Sequence, residues 1–150
     1  MTTIALRNGI LATDTQMTDG TNKVLMRKLF LVGGNGGCVA ICGDVEKAMG
    51  VVAWIKGGHD PSQWKKKLYK GVAAIYIDQW GDPFWFDDGP NAVPIVSSYY
   101  AMGTGATLAL GGMSSGMSAI DAVKFAATLD VYTNDKVEYY SVKTGKIKKA

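Results

Sequence analysis

The first residues of the chain carry the side chain with the clearest catalytic potential. Thr2 follows Met1 directly, and removal of Met1, which a small second residue permits, would give Thr2 a free α-amine. Such an amine has a pKa of about 7.7–8.0, so it can accept the proton of its own residue's hydroxyl and make that hydroxyl a nucleophile. The start of the chain therefore offers a threonine hydroxyl that could be activated by the amine of its own residue.

A nucleophile of this kind needs three supporting groups. A lysine would lower the pKa of the amine by like-charge repulsion, a carboxylate would hold that lysine, and a glycine N–H at a strand–helix junction would stabilise the oxyanion. Asp14, Lys28 and Gly43 have suitable types and positions. Composition alone equally allows a turn aspartate, an edge-strand lysine and a simple chain reversal, so at this point both interpretations stay open.

Other kinds of catalytic site have little support in the sequence. The single histidine, His59, falls in a polar turn where we expect an exposed side chain, and no nucleophile elbow accompanies it. The sequence contains no CxxC or HExxH ligand set and no complete phosphate-binding glycine motif. These absences disfavour a serine triad, a dedicated zinc site and a nucleotide site.

Length and composition predict one folded domain over residues 1–150. Hydrophobic residues make up 47% of the chain and charged residues 19%, which is typical of folded globular proteins. The net charge of +3 is too small to argue for nucleic acid, and most of the excess lies in two lysine-rich runs, residues 65–67 and 143–149. We expect these runs to be solvated, and we predict no nucleic-acid partner.

The cysteines and the apolar segments bear on the cell compartment. Cys38 and Cys42 lie four residues apart in a predicted strand, which separates them by about 13 Å and prevents a disulfide between them. We expect free thiols in a reducing compartment. No signal-peptide pattern opens the chain and no apolar stretch is long enough to span a bilayer, so we predict a cytoplasmic protein without a membrane partner.

The elements that must position these residues are strands and helices in separate groups. Asn8-Gly9 predicts a tight hairpin turn, Asp44 a helix N-cap, and residues 15–26 an irregular connection. The predicted strands cover residues 3–7, 10–13, 29–32, 38–42, 72–77, 83–86, 93–96 and 137–142. The predicted helices cover residues 45–55, 105–116 and 118–129. This order favours an α+β fold with two sheets between helical layers.

The ordered set of these short segments resembles the proteasome β-type, HslV-like family of N-terminal nucleophile hydrolases, and in particular its short phage or prophage relatives. The resemblance runs in order from residue 2 to about residue 142. The segments that carry it are Thr2-Thr3-Ile4-Ala5, Asn8-Gly9, Asp14-Thr15-Gln16-Met17-Thr18, Arg27-Lys28-Leu29-Phe30, Ala40-Ile41-Cys42-Gly43-Asp44, Ala101-Met102-Gly103-Thr104-Gly105 and Asp130-Val131-Tyr132-Thr133-Asn134.

The resemblance implies a four-layer αββα sandwich and a catalytic role for five residues. Thr2 would be the nucleophile and its own amine the base. Asp14 would orient Lys28, which would tune the amine and the hydroxyl, and the Gly43 N–H would form the oxyanion hole. Thr104 takes the place of a family serine near the amine and adds a methyl group to it.

The same resemblance implies partners and a supporting site. Asp130 and Thr133 match positions with supporting or cation-coordinating groups, so a monovalent cation could bind there, and peptide hydrolysis would require no cofactor. The family forms rings, here a hexamer or heptamer in one or two layers, and receives unfolded polypeptide from an AAA+ unfoldase. Lys23 is the rival to Lys28, which we prefer because it directly precedes an apolar strand.

Two alternative functions stay open on the same fold. The chain could be a catalytically inactive proteasome-like subunit with a structural or interfering role, in which Met1 is retained or Thr2 does not react. It could also be an N-terminal nucleophile amidohydrolase that cleaves small amides and not unfolded protein. The state of Met1 and the reactivity of Thr2 separate these hypotheses from the peptidase.

Overall fold

A computed structural model describes residues 2–150, so the predicted removal of Met1 lies outside the described residues. The strands are β1 (Thr3–Arg7), β2 (Ile10–Thr13), β3 (Gln16–Asp19), β4 (Asn22–Leu25), β5 (Leu29–Leu31), β6 (Cys38–Cys42), β7 (Ala73–Ile77), β8 (Pro83–Asp87), β9 (Val93–Pro94), β10 (Tyr99–Gly103), β11 (Glu138–Ser141) and β12 (Lys146–Lys149). The helices are α1 (Val45–Lys56), α2 (Lys66–Tyr69), α3 (Ala106–Ser114) and α4 (Ala119–Ala127), with a short 3₁₀ turn at Pro61–Gln63.

The strands form two large antiparallel sheets and one separate hairpin. The first sheet has the order β10-β1-β2-β11-β12, and the second has the order β5-β6-β7-β8-β9. Strands β3 and β4 pair only with each other among the described residues. The first strand of the chain therefore lies inside a sheet, between β10 and β2.

Three apolar clusters hold four layers together. Helix α1 packs on the outer face of the second sheet, through side chains such as Val52 and Phe86. Leu11 and Ile75 belong to the cluster between the two sheets, and helices α3 and α4 cover the outer face of the first sheet. The predicted α+β class and the αββα layering are therefore confirmed.

Several local predictions are confirmed by the backbone. Asn8 and Gly9 both have positive φ angles, 52° and 72°, which is the geometry of a tight hairpin turn that suits twisted strands. Asp44 caps α1 by accepting a hydrogen bond from the Lys47 N–H at 3.1 Å. Both cysteines are free thiols, with Cys38 fully buried.

Other local predictions are wrong. Residues 15–26 are not an irregular connection, because they contain the β3–β4 hairpin, and strands β10 and β12 were not predicted. His59 is not simply exposed: its ring centroid lies 6.0 Å from that of Trp54 and 5.6 Å from that of Tyr76.

No helix among residues 2–150 is both long and apolar enough to cross a membrane.

Candidate active site

Strand pairing in the first sheet brings three predicted site residues to one end of the sandwich. Thr3 lies opposite Gly103 of β10, and Ile4 lies opposite Thr13 of β2. Because neighbouring strands are antiparallel, the residue before β1 meets the residues that follow β2 and β10. Thr2, Asp14 and Thr104 occupy those places.

The second sheet supplies the other two residues at the same end. Lys28 directly precedes β5, and Gly43 directly follows β6. The Ile41 N–H donates to the Lys28 carbonyl oxygen at 3.1 Å, which fixes the two strand ends side by side. Thr2, Lys28 and Gly43 all line one cleft, so the structure brings these residues together.

Asp14 and Lys28 form a buried ion pair beneath this cleft. The Lys28 Nζ lies 3.0 and 3.1 Å from the two carboxylate oxygens of Asp14, and the two residues are 4% and 0% exposed. The backbone N–H groups of Thr3 and Gln16 donate to the same carboxylate, each at 3.0 Å. Lys23, the rival lysine, lies exposed on β4.

Burial and pairing act on Lys28 in opposite directions. Burial disfavours the charged ammonium and lowers the pKa of Lys28, while the charge and hydrogen bonds of Asp14 oppose that shift. The resulting pKa lies below the ordinary lysine value of 10.5. A lysine of this kind gives up a proton more readily than an exposed lysine, yet its ammonium is fixed in position.

Gly43 occupies a backbone conformation that favours glycine. Its φ is +110°, and a Cβ at this position would collide with the carbonyl oxygen of Gly71. Gly43 is exposed at the cleft, two residues before α1 begins at Val45. The predicted strand–helix junction is therefore present, and it places the positive end of the α1 dipole near the cleft.

The turn after β10 lies directly against the start of the chain. Gly103 has φ +98°, and a Cβ there would collide with the Thr2 carbonyl oxygen. A Cβ on Gly105 would collide with the Thr3 hydroxyl. The two glycines therefore allow the turn to approach Thr2 and Thr3 closely. The Thr104 hydroxyl donates to Asp130 Oδ2 at 2.7 Å and lies 3.5 Å from the Thr2 carbonyl oxygen.

Asp130 and Thr133 belong to a hydrogen-bond network next to this turn. The Thr133 hydroxyl donates to Asp130 Oδ2 at 2.7 Å, so the Thr3 hydroxyl must donate in turn to Thr133, also at 2.7 Å. Burial alone would raise the pKa of Asp130, but donors from Thr133, Thr104 and the Tyr132 N–H outweigh it and lower that pKa.

Asp130 and Thr133 carry the oxygen atoms that a cation site would need. Among residues 2–150, no group of three or more His, Cys, Asp or Glu side chains could hold a metal. A monovalent cation needs only oxygen ligands, which Asp130 and the carbonyls of its loop could provide. That site stays a prediction.

The cleft itself is mostly apolar. It has a volume of about 630 Å³, and its polar groups come from Thr2, Gln16, Lys28 and Gly43 together with a few surface side chains. Its apolar lining is formed by Met17, Met26, Ile41, Cys42, Val45 and Ala48. Burial raises the pKa of Cys42 to about 11, so this thiol is protonated near neutral pH. The cleft could accept an apolar side chain beside Thr2.

Sequence reasoning missed several residues that hold the site together. The sequence assigns no separate role to Gln16 or Asn134. In the structure Gln16 contacts Asp14 and Val131, and the Asn134 side chain accepts a hydrogen bond from the Thr15 N–H at 3.0 Å. The Gly103-Thr104-Gly105 pattern did contain a signal, since two glycines around one hydroxyl residue indicate a close backbone approach.

Comparison with known proteins assigns the fold. No protein-family model matches the sequence, and no curated protein matches it. The crystal structure of eukaryotic HslV from Trypanosoma brucei superposes with a TM-score of 0.70, covering 93% of this chain and 98% of that chain at 17% identity. The chain has the HslV fold. At this identity the match establishes the architecture of the chain and assigns no role to any residue.

Proposed function

We propose that residues 1–150 form one domain, a threonine-type peptidase subunit that hydrolyses peptide bonds of unfolded polypeptides through Thr2 after removal of Met1. The observation that carries the proposal is the buried Asp14–Lys28 pair, which lies at the base of a cleft shared with Thr2 and Gly43. The buried pair costs desolvation energy, and perturbed pKa values such as the lowered pKa of Lys28 cluster at functional sites.

The chemistry would proceed in two steps. The α-amine of Thr2 takes the proton of the Thr2 hydroxyl, whose oxygen attacks the substrate carbonyl carbon while the Gly43 N–H stabilises the oxyanion. The Lys28 ammonium stabilises negative charge developing on the hydroxyl oxygen. The peptide C–N bond breaks as the proton passes to the leaving amine, which leaves the acyl group as an ester on Thr2. Water then hydrolyses this ester, releases the carboxylic acid and restores the hydroxyl.

The substrate and the assembly are part of the same proposal. The apolar cleft suits an apolar side chain of an extended polypeptide, and no cofactor is needed, while Asp130 and Thr133 could bind a monovalent cation. We propose a homo-oligomeric ring of six or seven subunits, in one or two layers, served by an AAA+ unfoldase in the cytoplasm. Exposed apolar side chains such as Leu25, Leu129 and Val131, each 65–68% exposed, offer contact surface for such an assembly.

The first test is an intact mass spectrum with and without a peptide vinyl sulfone, on wild type and Thr2→Ala. We expect a mass that lacks Met1 and one adduct that maps to Thr2, with no adduct on Thr2→Ala. We also expect that Thr2→Ala abolishes hydrolysis of unfolded casein and leaves assembly, measured by light scattering, unchanged.

The same test separates the alternatives. Retained Met1 with no adduct, in an intact oligomer, would favour the inactive structural subunit. A Thr2 adduct with cleavage of small amides but not of casein would favour the amidohydrolase. Full casein hydrolysis by Thr2→Ala would show that Thr2 is not the nucleophile.

A further inference from the structure

Gln16 is a buried side chain that joins the two hydrogen-bond networks of the candidate site. It is 5% exposed, and its backbone N–H donates to Asp14 Oδ2 at 3.0 Å. Its side-chain Nε2 donates to the Val131 carbonyl oxygen at 3.0 Å and to the Thr18 hydroxyl at 3.2 Å. One residue thus contacts both the Asp14–Lys28 pair and the loop that carries Asp130.

The loop that Gln16 contacts is held mainly by polar groups. It connects α4, which ends at Ala127, with β11, which begins at Glu138. Near Asp130 its apolar side chains contribute little, because Leu129 and Val131 are each 68% exposed, whereas Val137 at the other end of the loop is buried in the core. Backbone of this kind takes its position from hydrogen bonds to neighbouring elements, and such loops open more easily than strands.

Further contacts join the same loop to the start of the chain, among them a hydrogen bond from the Thr15 hydroxyl to the Lys136 carbonyl oxygen at 2.8 Å. The Thr3 hydroxyl contacts Thr133, and the Thr15 N–H donates to the Asn134 side chain at 3.0 Å. Within residues 2–150, one side-chain hydrogen bond joins β3 to residues 128–137. It is the bond from Gln16 to Val131, the residue that follows Asp130. Gln16 therefore holds the backbone next to Asp130, together with the hydrogen bond from the Asp130 N–H to the Ala126 carbonyl oxygen at 2.8 Å.

We propose that Gln16 is a positioning residue for hydrolysis at Thr2, an inference that rests on the proposed function. By holding the Val131 carbonyl, Gln16 keeps Asp130 where it accepts from both Thr104 and Thr133. Thr104 is then held beside the Thr2 backbone, and the start of the chain keeps one geometry relative to Lys28. Displacement of a catalytic group by about 1 Å can lower a rate about 100-fold.

The chemistry of the amide group makes the proposal testable by pH. The Val131 carbonyl is an acceptor, so its partner must donate, and the Gln16 NH₂ has two hydrogens for Val131 and Thr18. A Gln16→Glu carboxylate cannot donate to Val131 and adds a negative charge near Asp14. When that carboxyl is protonated it regains one donor, and burial favours protonation above the ordinary glutamate pKa of about 4.3.

A second variant removes the donor without adding a charge. Gln16→Met has a similar length and cannot donate at any pH. If Gln16 acts through its hydrogen bond, both variants should be impaired, but only Gln16→Glu should recover as the pH falls. Gln79→Glu, an exposed position in the β7–β8 turn, is the matched control for the amide-to-acid change.

The experiment uses the assembled protein. It measures kcat and KM for a fluorogenic peptide between pH 5.5 and 8, and it measures the rate of backbone hydrogen exchange in residues 130–134. We expect both variants to lower kcat about 10–100-fold at pH 8 with KM within about twofold, and to speed exchange in that segment. The ratio of Gln16→Glu to wild-type kcat should rise about fivefold or more by pH 5.5, whereas the Gln16→Met ratio should stay flat. Gln79→Glu should match wild type throughout.

Each contrary result overturns a stated part. Wild-type exchange and wild-type kcat in Gln16→Met would show that the hydrogen bond neither holds the loop nor positions the site. Parallel pH profiles for the two variants would show that Gln16 fills space and does not act as a donor. Wild-type activity in the Thr2→Ala variant would instead overturn the proposed function. The positioning role would fail with it, even if hydrogen exchange in the loop still depended on Gln16.

Discussion

Asp14 and Asp130 are two carboxylates near the start of β1, and the structure holds them in different ways. Asp14 is fully buried, pairs with the Lys28 ammonium and accepts two backbone N–H groups. Asp130 is half-buried in a loop and accepts two threonine hydroxyls and one backbone N–H. One carboxylate is fixed by charge and strand register, the other by side-chain hydrogen bonds.

The difference predicts different roles for the two groups. A buried ion pair is costly to break, because removing one partner leaves an uncompensated charge away from water. Hydrogen bonds to a half-buried carboxylate are individually worth less and can be exchanged for water. We therefore expect Asp14 and Lys28 to set the charge of the site, and Asp130 to set the position of the groups around Thr2.

The largest effect is expected when the buried pair is broken. Lys28→Met leaves the Asp14 charge without its cation, so the free energy of unfolding should fall by about 3–5 kcal/mol and hydrolysis by about 10³-fold. Urea denaturation and peptide hydrolysis measure the two losses. Lys23→Met is the matched control, since Lys23 is exposed, and its change should stay within about 0.5 kcal/mol. Equal losses in both variants would undo the choice of Lys28.

A smaller effect is expected at the second carboxylate. Asp130→Asn keeps one oxygen but loses the charge that strengthens the bonds from Thr104 and Thr133, so we expect a loss of about 1–2 kcal/mol and about tenfold in kcat. A double-mutant cycle with Thr104→Val should be non-additive, because both changes remove the same contact. Asp135→Asn, exposed in the same loop, serves as control, and strict additivity would contradict the network.

The smallest effect is expected in acid. The pKa of Asp130 is lowered from its ordinary value of 3.8, so the unfolded chain binds this proton more readily than the folded one. Stability from Asp130 is complete above the unfolded value and disappears as the pH falls through the folded pKa. The difference in stability between wild type and Asp130→Asn should be constant above about pH 5 and should narrow below about pH 4. A difference that grows in acid would contradict the direction of the shift.

The sequence predicted the parts of the fold whose signals are local. The Asn8-Gly9 turn and the Asp44 cap depend on residues next to each other, and both were found. Strand β10 was missed because its partner β1 lies almost a hundred residues earlier, and β12 because its lysines resemble a charged tail. The β3–β4 hairpin had a local signal, Asp19-Gly20, but β4 is exposed throughout and neither strand alternates between apolar and polar residues.

The candidate site residues that could be predicted from the sequence are those that lie at the ends of predicted strands. Residue types proposed Asp14, Lys28 and Gly43, while resemblance to a family gave their roles. The contact of Thr104 with Asp130 joins residues 26 apart across a loop, and Gln16 reaches Val131 over 115 residues. No spacing rule predicts such contacts, because they depend on how the loop folds back over the sheet.

The placement of β1 inside the first sheet has a consequence for the order of synthesis. The proposed nucleophile leaves the ribosome about a hundred residues before β10, and β2 can pair with β1 at once. Its other neighbour, β10, and the loop with Asp130 are made only after most of the 150 residues have been translated. Long-range strand pairing is slow and waits for its partner. An unfinished chain would therefore carry the proposed nucleophile without Thr104 and Asp130 beside it, and we expect such a chain to be inactive until β10 and the Asp130 loop have been added.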